Sequence, residues 1–314
     1  MSKHKIAVVG AGKMALEHCR VYAELANVEL AGICSRTAAR AAVLAKKFGI
    51  RRVSEGIAEL WEDTKADVVL ITVNELSMLP VVREAARFPW TLFLEKPAGY
   101  NLEVASEVRA TIKQHGRDAY VGLNRRYNAA SIAASEALKG CDGPRYIVVN
   151  DQQNLAHARS LNHPGEVVRY MMYANSIHLI DYIRVFGRGQ VERVERLEDW
   201  RGEDSFMQAA TMFLSSGDVA RYEALWQGPG PWACSISCHE KRLEMRPLET
   251  LSVQLAGSRV NQQQEFDPID AQFKPGFYRQ AEDVLRALDG EPNRVPTIDD
   301  AYATMELIHA IYGV

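Results

Sequence analysis

One histidine on a predicted helix belongs to the residue types that move protons in enzymes. It is His178 of ANSIHLIDYIRVFG, residues 174–187, where isoleucines recur at helical spacing and predict a buried stripe. Asp181 and Tyr182 follow at spacings that bring all three side chains together on another side of the helix. Because histidine titrates near neutral pH, His178 is either a general acid or base, or a polar residue on the solvent face of a core helix.

The two ends of this helix carry capping signals. Asn175 and Ser176 have side chains that commonly cap the first turn of a helix, and we expect them to do so here. Gly187 follows the last apolar residue, and we expect it to adopt the left-handed conformation that ends many helices.

A glycine-rich turn near the N-terminus offers a second kind of chemistry. The first apolar strand runs directly into GAGKMA, residues 10–15, which matches the G-x-G-x-x-G/A fingerprint. Gly10 permits the tight turn, Gly12 lets a pyrophosphate approach the backbone, and Ala15 keeps the following helix close to the strand. The first N–H groups of that helix then face the phosphates. The turn predicts dinucleotide binding; the alternative is a purely structural turn.

The end of the second strand bears on which coenzyme binds. It reads Cys34-Ser35-Arg36-Thr37, so no carboxylate is present to accept from the ribose 2′-hydroxyl of NAD. Arg36 can lie against a 2′-phosphate, with Ser35 and Thr37 as hydrogen-bond donors. We therefore expect NADP or NAD, with NADP preferred. In the other interpretation Arg36 is a solvated residue and NAD binds through the backbone.

The elements that position these residues change in character along the chain. Up to residue 123, apolar strands alternate with helices, which predicts a doubly wound parallel sheet of the Rossmann type with helices on both faces. The predicted strands are 5–10, 28–34, 67–73, 91–97 and 119–123, and the predicted helices are 13–25, 37–49, 78–87 and 101–115.

Beyond residue 124, strands follow one another with few helices between them. They are predicted at 145–151, 190–198, 206–215, 218–226, 233–240 and 249–254, with a Ser-Ser-Gly-Asp hairpin turn and two C-terminal helices at 276–289 and 298–312. This pattern predicts an α/β domain with a large, mostly antiparallel open sheet. We expect a dinucleotide-binding domain at 1–123, and a substrate-binding and oligomerisation domain at 124–314.

Bulk properties exclude several classes of protein. The 314 residues are 47% hydrophobic and 25% charged, with a net charge of −3, which gives no electrostatic signature for nucleic acid or an acidic membrane surface. No apolar run is long enough to span a membrane, and the N-terminus lacks signal-peptide anatomy. The five cysteines include no CxxC pair; Cys234 and Cys238, with His239 beside them, lie in a predicted strand without a second ligand pair. We expect reduced thiols, no metal site and a cytoplasmic location.

Three segments in this order resemble the Gfo/Idh/MocA family of NAD(P)-dependent oxidoreductases. They are GAGKMA, EKPAG at 95–99 and NSIHLID at 175–181, and the resemblance extends along the whole chain through GLNRRY at 122–127 and the C-terminal helices. It implies a Rossmann domain followed by the open-sheet domain, with substrate and nicotinamide meeting between the two. It also implies association through the open sheet, as a homodimer or homotetramer.

The resemblance assigns roles residue by residue. Lys96 matches the family's active-site lysine and His178 its active-site histidine, while the bond before the proline of EKP is often cis in the family. Asn74 matches the polar residue near the nicotinamide, although its neighbours depart from the family pattern. Ala174 stands where many relatives carry an aspartate; Tyr173, Asn175 or Ser176 could supply a polar replacement. We expect Asp181 to orient the helix or the ring.

The expected site follows from these assignments. The expected catalytic residues are Lys96 and His178, and the expected substrate-binding residues are Lys96, Arg126, Tyr127, Asn175 and His178. The expected coenzyme-binding residues are Gly10, Ala11, Gly12, Lys13, Met14, Ser35, Arg36, Thr72, Asn74, Glu95 and Lys96. The polar segment 152–170 either binds substrate or is a solvated loop or subunit contact.

The resemblance also implies a reaction. We expect hydride transfer between the nicotinamide and a secondary alcohol or ketone of a sugar, nucleotide sugar or cyclitol. The alternatives are an NAD-dependent glycosidase-like enzyme without net redox change, and a catalytically silent coenzyme-binding regulator.

Overall fold

The computed structural model describes residues 4–314, so the first three residues of the predicted N-terminal domain lie outside the described residues. The first part of the chain alternates strands and helices. Its strands are β1 His4–Val9, β2 Val28–Cys34, β3 Arg52–Ser54, β4 Val68–Ile71, β5 Thr91–Leu94 and β6 Ala119–Val121. Its helices are α1 Lys13–Glu24, α2 Ala38–Phe48, α3 Ile57–Thr64, α4 Met78–Ala85 and α5 Leu102–Gln114.

The remainder is rich in strands. Its strands are β7 Tyr146–Gln152, β8 Val191–Arg196, β9 Met207–Leu214, β10 Val219–Leu225, β11 Ala233–Ser237, β12 Lys241–Met245, β13 Ser252–Leu255 and β14 Asn261–Gln263. Its helices are α6 Ala129–Ala137, α7 Leu155–Ser160, α8 Gly165–Arg169, α9 Ile177–Phe186, α10 Ile269–Gln272, α11 Phe277–Leu288 and α12 Ile298–Tyr312.

The contacts divide the chain into two compact units. The first unit runs up to Asn124 and also includes Ile269–Tyr302; the second comprises Arg125–Pro268 and Ala303–Val314. The sequence analysis places 269–302 with the second domain, and the structure differs because α11 packs against α1. Burial of the apolar face of α11 in the core of the first unit, with Phe277 and Val284 inside it, explains the grouping.

A six-stranded parallel sheet forms the centre of the first unit, in the order β3-β2-β1-β4-β5-β6. Its central strands are buried, as near-continuous apolar runs require: Ile6, Val8, Val69 and Leu70 expose no surface. The predicted Rossmann sheet is therefore confirmed. Since parallel strands run in one direction, the segments that follow β1, β4 and β5 lie at one edge of the sheet.

The second unit contains an eight-stranded sheet in the order β14-β13-β12-β11-β7-β10-β9-β8. Every adjacent pair is antiparallel except β7 with β10, so the predicted mostly antiparallel sheet is confirmed. Helix α9 packs on β7 and β11, and its isoleucine stripe is fully buried there. Strand β12 was not predicted, because its sequence KRLEM carries three charges among only two apolar residues.

No helix within residues 4–314 is both long and apolar enough to cross a membrane.

A buried carboxylate ties the end of α9 to the sheet. Asp218, in the turn between β9 and β10, is fully buried and accepts hydrogen bonds from the backbone N–H groups of Arg145 and Arg188, at 2.8 and 2.9 Å. The guanidinium of Arg188 donates to both of its oxygens, at 3.0 and 2.6 Å. Burial opposes ionisation of Asp218, but these hydrogen bonds outweigh it and hold the pKa of its carboxyl below the ordinary value.

We expect Asp218→Asn to lower the free energy of unfolding at pH 7 by about 1–3 kcal/mol. The loss stays below that of a fully buried pair because the Arg188 side chain is 37% exposed. A lowered pKa stabilises the fold above the unfolded-state pKa of about 4, and this stabilisation is lost as the pH falls. Urea unfolding should therefore show a difference between the two proteins that shrinks from pH 7 towards pH 3. The exposed Asp199→Asn is the control, and a pH-independent difference would contradict the assignment.

Candidate active site

The predicted phosphate turn has the geometry that its glycines require. Gly10 adopts a φ of 110°, and a Cβ there would lie 2.7 Å from the carbonyl oxygen of Thr72. Thr72 follows β4, and its N–H and hydroxyl both donate to the carbonyl of Val9, at 2.8 and 3.1 Å. Strand β1 and the end of β4 are thus too close for any side chain at position 10.

Gly12, unlike Gly10, has open space where a side chain would lie. It caps α1 in an extended conformation without any side-chain cap, and a Cβ placed on it would meet nothing within 4 Å. No acidic residue lies in the first turn of α1, where exposed Lys13 and half-buried Met14 follow. An uncapped, non-acidic helix N-terminus with open space above its glycine fits the pyrophosphate of a dinucleotide.

The end of β2 presents polar side chains and no carboxylate. Ser35 is half-buried and its hydroxyl accepts from the N–H of Thr37 at 3.3 Å. Arg36 is exposed, and the first turn of α2 contains no acidic residue. The exposed guanidinium of Arg36 is the charged group that this segment offers to a coenzyme phosphate.

Lys96 follows β5 and is half-buried, and its bond to Pro97 is cis. The residue before it, Glu95, is 6% exposed and hydrogen-bonds to Nε2 of His18 at 2.7 Å. His18 lies on the buried face of α1, with its ring 4.7 Å from that of Phe277. This pair joins the segment that carries Lys96 to the helix that carries the phosphate turn.

Glu95 is a charged group inside the first unit. Burial would raise its pKa, but the hydrogen bond and charge of His18, with the charges of Lys96 and Lys274, lower the pKa below the ordinary value. Glu95 is therefore ionised at neutral pH. It acts as a fixed anion beside Lys96, because its carboxylate is already bound by His18.

Asn74 was expected near the nicotinamide. The structure places it, exposed, at the start of a short 3₁₀ turn after β4, where its side-chain oxygen accepts from the N–H of Ser77 at 2.9 Å. The turn lies at the same edge of the sheet as Gly10 and Lys96, since all three follow adjacent parallel strands.

The start of α9 differs from the predicted cap. A turn of π-helix, Met172–Ser176, leads into α9, and neither Asn175 nor Ser176 caps it. The prediction for Gly187 was also wrong: its φ is −81°, and it is required because a Cβ would lie 2.6 Å from the carbonyl oxygen of Ile183. A π turn inserted into a helix commonly marks a functional segment.

Asp181 has a structural role within the second unit. Its two carboxylate oxygens accept from Nε and Nη2 of Arg126 at 2.6 and 2.7 Å, and Thr304 donates at 2.8 Å. His178, one turn earlier on α9, is buried, as is Tyr127. Because Arg126 binds Asp181 in bidentate fashion, its assignment to the substrate stays a prediction, as does that of Tyr127.

The side chains that precede His178 enter a buried hydrogen-bond network. Asn175 donates to Oε1 of Gln153 at 2.9 Å, and Nε2 of Gln153 donates to Ser176 and to Asp151 at 3.0 and 2.7 Å. Asp151 is 1% exposed and also accepts from the hydroxyl of Tyr222 at 2.7 Å. Burial raises the pKa of Asp151, although hydrogen bonds from Ser176, Tyr222 and Gln153 oppose the shift.

Ala174, where many relatives carry an aspartate, is 6% exposed and lies in the π turn. The neighbouring Tyr173 donates its hydroxyl to the carbonyl of Val314 and so is engaged elsewhere. Tyr173, Asn175 and Ser176 were the polar residues that could take the place of the missing aspartate. Of these, Asn175 and Ser176 form hydrogen bonds with Gln153.

Sequence reasoning missed His18, Asp151 and Gln153. His18 falls on the apolar face of α1, and a histidine in such a stripe must find a polar partner, so its position carried a usable signal. Asp151 lies near the end of β7 and Gln153 directly follows this strand. The alternation of apolar and polar residues along the strand does not show which of its polar residues are buried. The residues of the predicted polar segment form α7 and α8, where His157, Arg159 and Arg169 are exposed.

Solved structures share this architecture along the whole chain. UDP-N-acetylglucosamine 3-dehydrogenase from Acidithiobacillus ferrooxidans superposes with a TM-score of 0.80 over 99% of this chain and 97% of that chain, at 19% identity. Levoglucosan dehydrogenase, in complex with NADH and levoglucosan, gives a TM-score of 0.81 over 99% and 96%, at 17% identity. At these identities the likeness shows the fold.

Sequence comparison finds relatives of one stretch of the chain, residues 4–123. Scyllo-inositol 2-dehydrogenase (NAD(+)) from Bacillus subtilis is 27% identical over 127 residues, which cover 40% of this chain and 37% of that protein. The curated matches thus span little more than a third of the relatives' length. The model of the oxidoreductase family with an NAD-binding Rossmann fold matches residues 4–123. Residues 4–123 are therefore similar to the Gfo/Idh/MocA oxidoreductases, the family that this model describes.

Proposed function

We propose that the protein is an NAD(P)-dependent oxidoreductase that interconverts a secondary alcohol and a ketone of a sugar, nucleotide sugar or cyclitol. One observation carries the proposal: the open glycine turn, Thr72 and Lys96 share the carboxyl edge of one parallel sheet. Doubly wound sheets bind dinucleotides at this edge, so Lys96 lies where a substrate would meet the coenzyme. Relatives that act on a cyclitol and on sugars support the substrate class.

The coenzyme would be held by the turn at Gly10–Lys13 and by the polar residues after β2. When bound, it supplies the acceptor or donor for the hydrogen that the substrate carbon loses or gains. Gly12 admits the pyrophosphate, and the uncapped amides of α1 stabilise its charge.

Lys96 would bind the substrate oxygen and stabilise the negative charge that develops on it. Its position depends on the turn that Glu95 anchors, because the buried hydrogen bond to His18 fixes the preceding backbone. The charge of Lys96 in turn helps to hold the pKa of Glu95 below its ordinary value, so the two side chains attract one another.

His178 would exchange the proton of the substrate hydroxyl, as base in oxidation and as acid in reduction. We propose that Gln153 is a positioning residue for it. Gln153 holds the two consecutive side chains, Asn175 and Ser176, that precede α9. In this way an amide network would orient the start of α9, where Ala174 offers no carboxylate.

A polar cleft in the second unit suits the remainder of a carbohydrate-type substrate. It encloses about 720 Å³, and its lining includes Gln152, Gln153, Asn154, Arg159, Trp226 and Gln227. Amides bind hydroxyls, and a tryptophan offers an apolar surface, while the guanidinium of Arg159 is paired with Glu203 of the same lining. Because Gln153 also belongs to the network at the start of α9, the cleft adjoins the residues that position His178.

For the coenzyme we propose a preference for NADP over NAD. The exposed guanidinium of Arg36 and the absence of acidic residues from the first turn of α2 support it.

The direct test of the function is a screen of polyols, sugars and nucleotide sugars for a change in nicotinamide absorbance with NADP and NAD. With the best substrate, His178→Ala should lower kcat by about 10²–10⁴-fold, because proton transfer is lost, while the coenzyme Kd stays unchanged. The matched control is His309→Ala, which removes an exposed histidine on α12. Retained coenzyme with no net absorbance change for any substrate would contradict redox catalysis, and near-normal turnover of His178→Ala would refute its role.

The coenzyme preference is tested by calorimetric Kd values. Arg36→Ala should weaken NADP binding by about 10–100-fold, the worth of one charge-assisted hydrogen bond to phosphate, and leave NAD binding nearly unchanged. Arg40→Ala, an exposed arginine one turn further along α2, should change neither. Tighter binding of NAD than NADP by the unaltered protein would overturn the preference.

A further inference from the structure

Two cysteines and a glutamate from separate parts of the second unit meet at its surface. Cys141 follows α6, whereas Cys238 and Glu240 lie in the turn between β11 and β12. One sulfur from each cysteine and one carboxylate oxygen all lie within 4.8 Å of one another. The thiols of Cys238 and Cys141 donate to the backbone carbonyls of Lys241 and Ala137, at 3.5 and 3.7 Å.

We propose that Cys141, Cys238 and Glu240 form a binding site for a thiophilic divalent cation, with Zn²⁺ as the best fit. Zn–S and Zn–O bonds are about 2.3 and 2.1 Å long, so two thiolates on one tetrahedral zinc lie about 3.8 Å apart. The mutual separations of up to 4.8 Å bring three ligand atoms close to this geometry without a change of fold.

The ligand set decides which cation binds. Two thiolates favour Zn²⁺ and other soft ions, whereas the hard ions Mg²⁺ and Ca²⁺ prefer oxygen ligands alone. Two thiolates and one carboxylate carry a total charge of −3, so the site with one divalent ion has a net charge of −1. A neutral water molecule as the fourth ligand does not change this charge. Glu240 and the partly exposed Cys238 give the ion a path from solvent, while Cys141 is buried.

The surrounding contacts hold the three ligands in place. The ammonium of Lys241 donates to the carbonyl of Ala137 at 2.9 Å and so fixes the hairpin turn against the end of α6. The N–H of Cys238 donates to the carbonyl of Lys241 at 3.0 Å, which closes the turn. A bound ion would add a further link between the end of α6 and the β11–β12 hairpin, and would stabilise the second unit.

Sequence spacing could not show this site. Of the group Cys234, Cys238 and His239, only Cys238 takes part: Cys234 is fully buried in β11 and lies outside the cluster. The ring of His239 packs against the backbone of Gly143. A Cβ atom added to Gly143 would lie only 2.7 Å from the Cδ2 atom of His239. The second thiolate comes instead from Cys141, which is distant in the chain.

The test uses the full-length protein after removal of metal with a chelator, titrated with Co²⁺ as a spectroscopic substitute for Zn²⁺. We expect one Co²⁺ per chain, with sulfur-to-cobalt charge-transfer absorption and the visible bands of a tetrahedral ion, and displacement by Zn²⁺. Loss of a residue that only contacts a metal ligand weakens metal binding by about 10–100-fold. Cys238→Ser removes a ligand itself and should weaken Co²⁺ binding by more than this. Glu240→Gln, at an exposed position, should weaken it as well.

Matched controls are Cys234→Ala, which removes a thiol from β11, and Glu244→Gln, which removes a carboxylate from β12; both should bind as the unaltered protein does. Circular dichroism reports the folding of each variant, and Glu240→Gln keeps the test decisive if a cysteine variant unfolds. Absence of the charge-transfer band, or an unchanged band in Cys238→Ser, would overturn the proposal. So would a Cys141–Cys238 disulfide, seen by mass spectrometry, in protein that binds no metal.

Discussion

The carboxylate of Asp151, enclosed inside the second unit, constrains the segment that presents His178. A buried carboxylate is costly unless its oxygens are hydrogen-bonded, and here Tyr222, Gln153 and Ser176 supply those bonds. Because Gln153 also accepts from Asn175, two consecutive residues before α9 must both face inward. A π turn permits this, since its wider coil narrows the angle between consecutive side chains.

The first unit depends on the close approach of two backbone segments and on a buried hydrogen bond between Glu95 and His18. Strand β1 and the end of β4 come so near that only glycine fits at position 10, while Gly12 leaves the helix N-terminus open. The pair between Glu95 and His18 then connects the Lys96 turn to α1. The segments proposed to bind coenzyme and substrate are thus held by a shared set of buried contacts within this unit.

Much of the fold could be predicted because its signals are local. Apolar runs identify most strands of both sheets, although not β3, β12 and β14, and the glycine turn identifies the start of α1. What failed depended on contacts between distant residues: Asn175 and Ser176 look like caps, but Gln153 recruits their side chains. The grouping of residues 269–302 with the first unit could not be predicted for the same reason. The sequence of an amphipathic helix shows which face is apolar, but not which hydrophobic core that face packs against.

The residues of the candidate site also differ in whether local sequence reveals them. Lys96 and His178 could be proposed from motifs, whereas Gln153 could be found only once its hydrogen bonds were visible. Strand β7 alternates buried and half-buried residues, and alternation alone does not distinguish a network residue from a surface one.

The most direct test of this account is the pH dependence of kcat in Gln153→Leu, which removes both links to the residues before α9 at nearly constant volume. The account predicts a fall in kcat of about 10²-fold, a displaced pH profile and an unchanged coenzyme Kd, because the proton-transfer group is misplaced while the first unit is intact. The control Gln254→Leu makes the same change on β13, away from the network. A Gln153→Leu protein with the kcat and pH profile of the unaltered enzyme would contradict it.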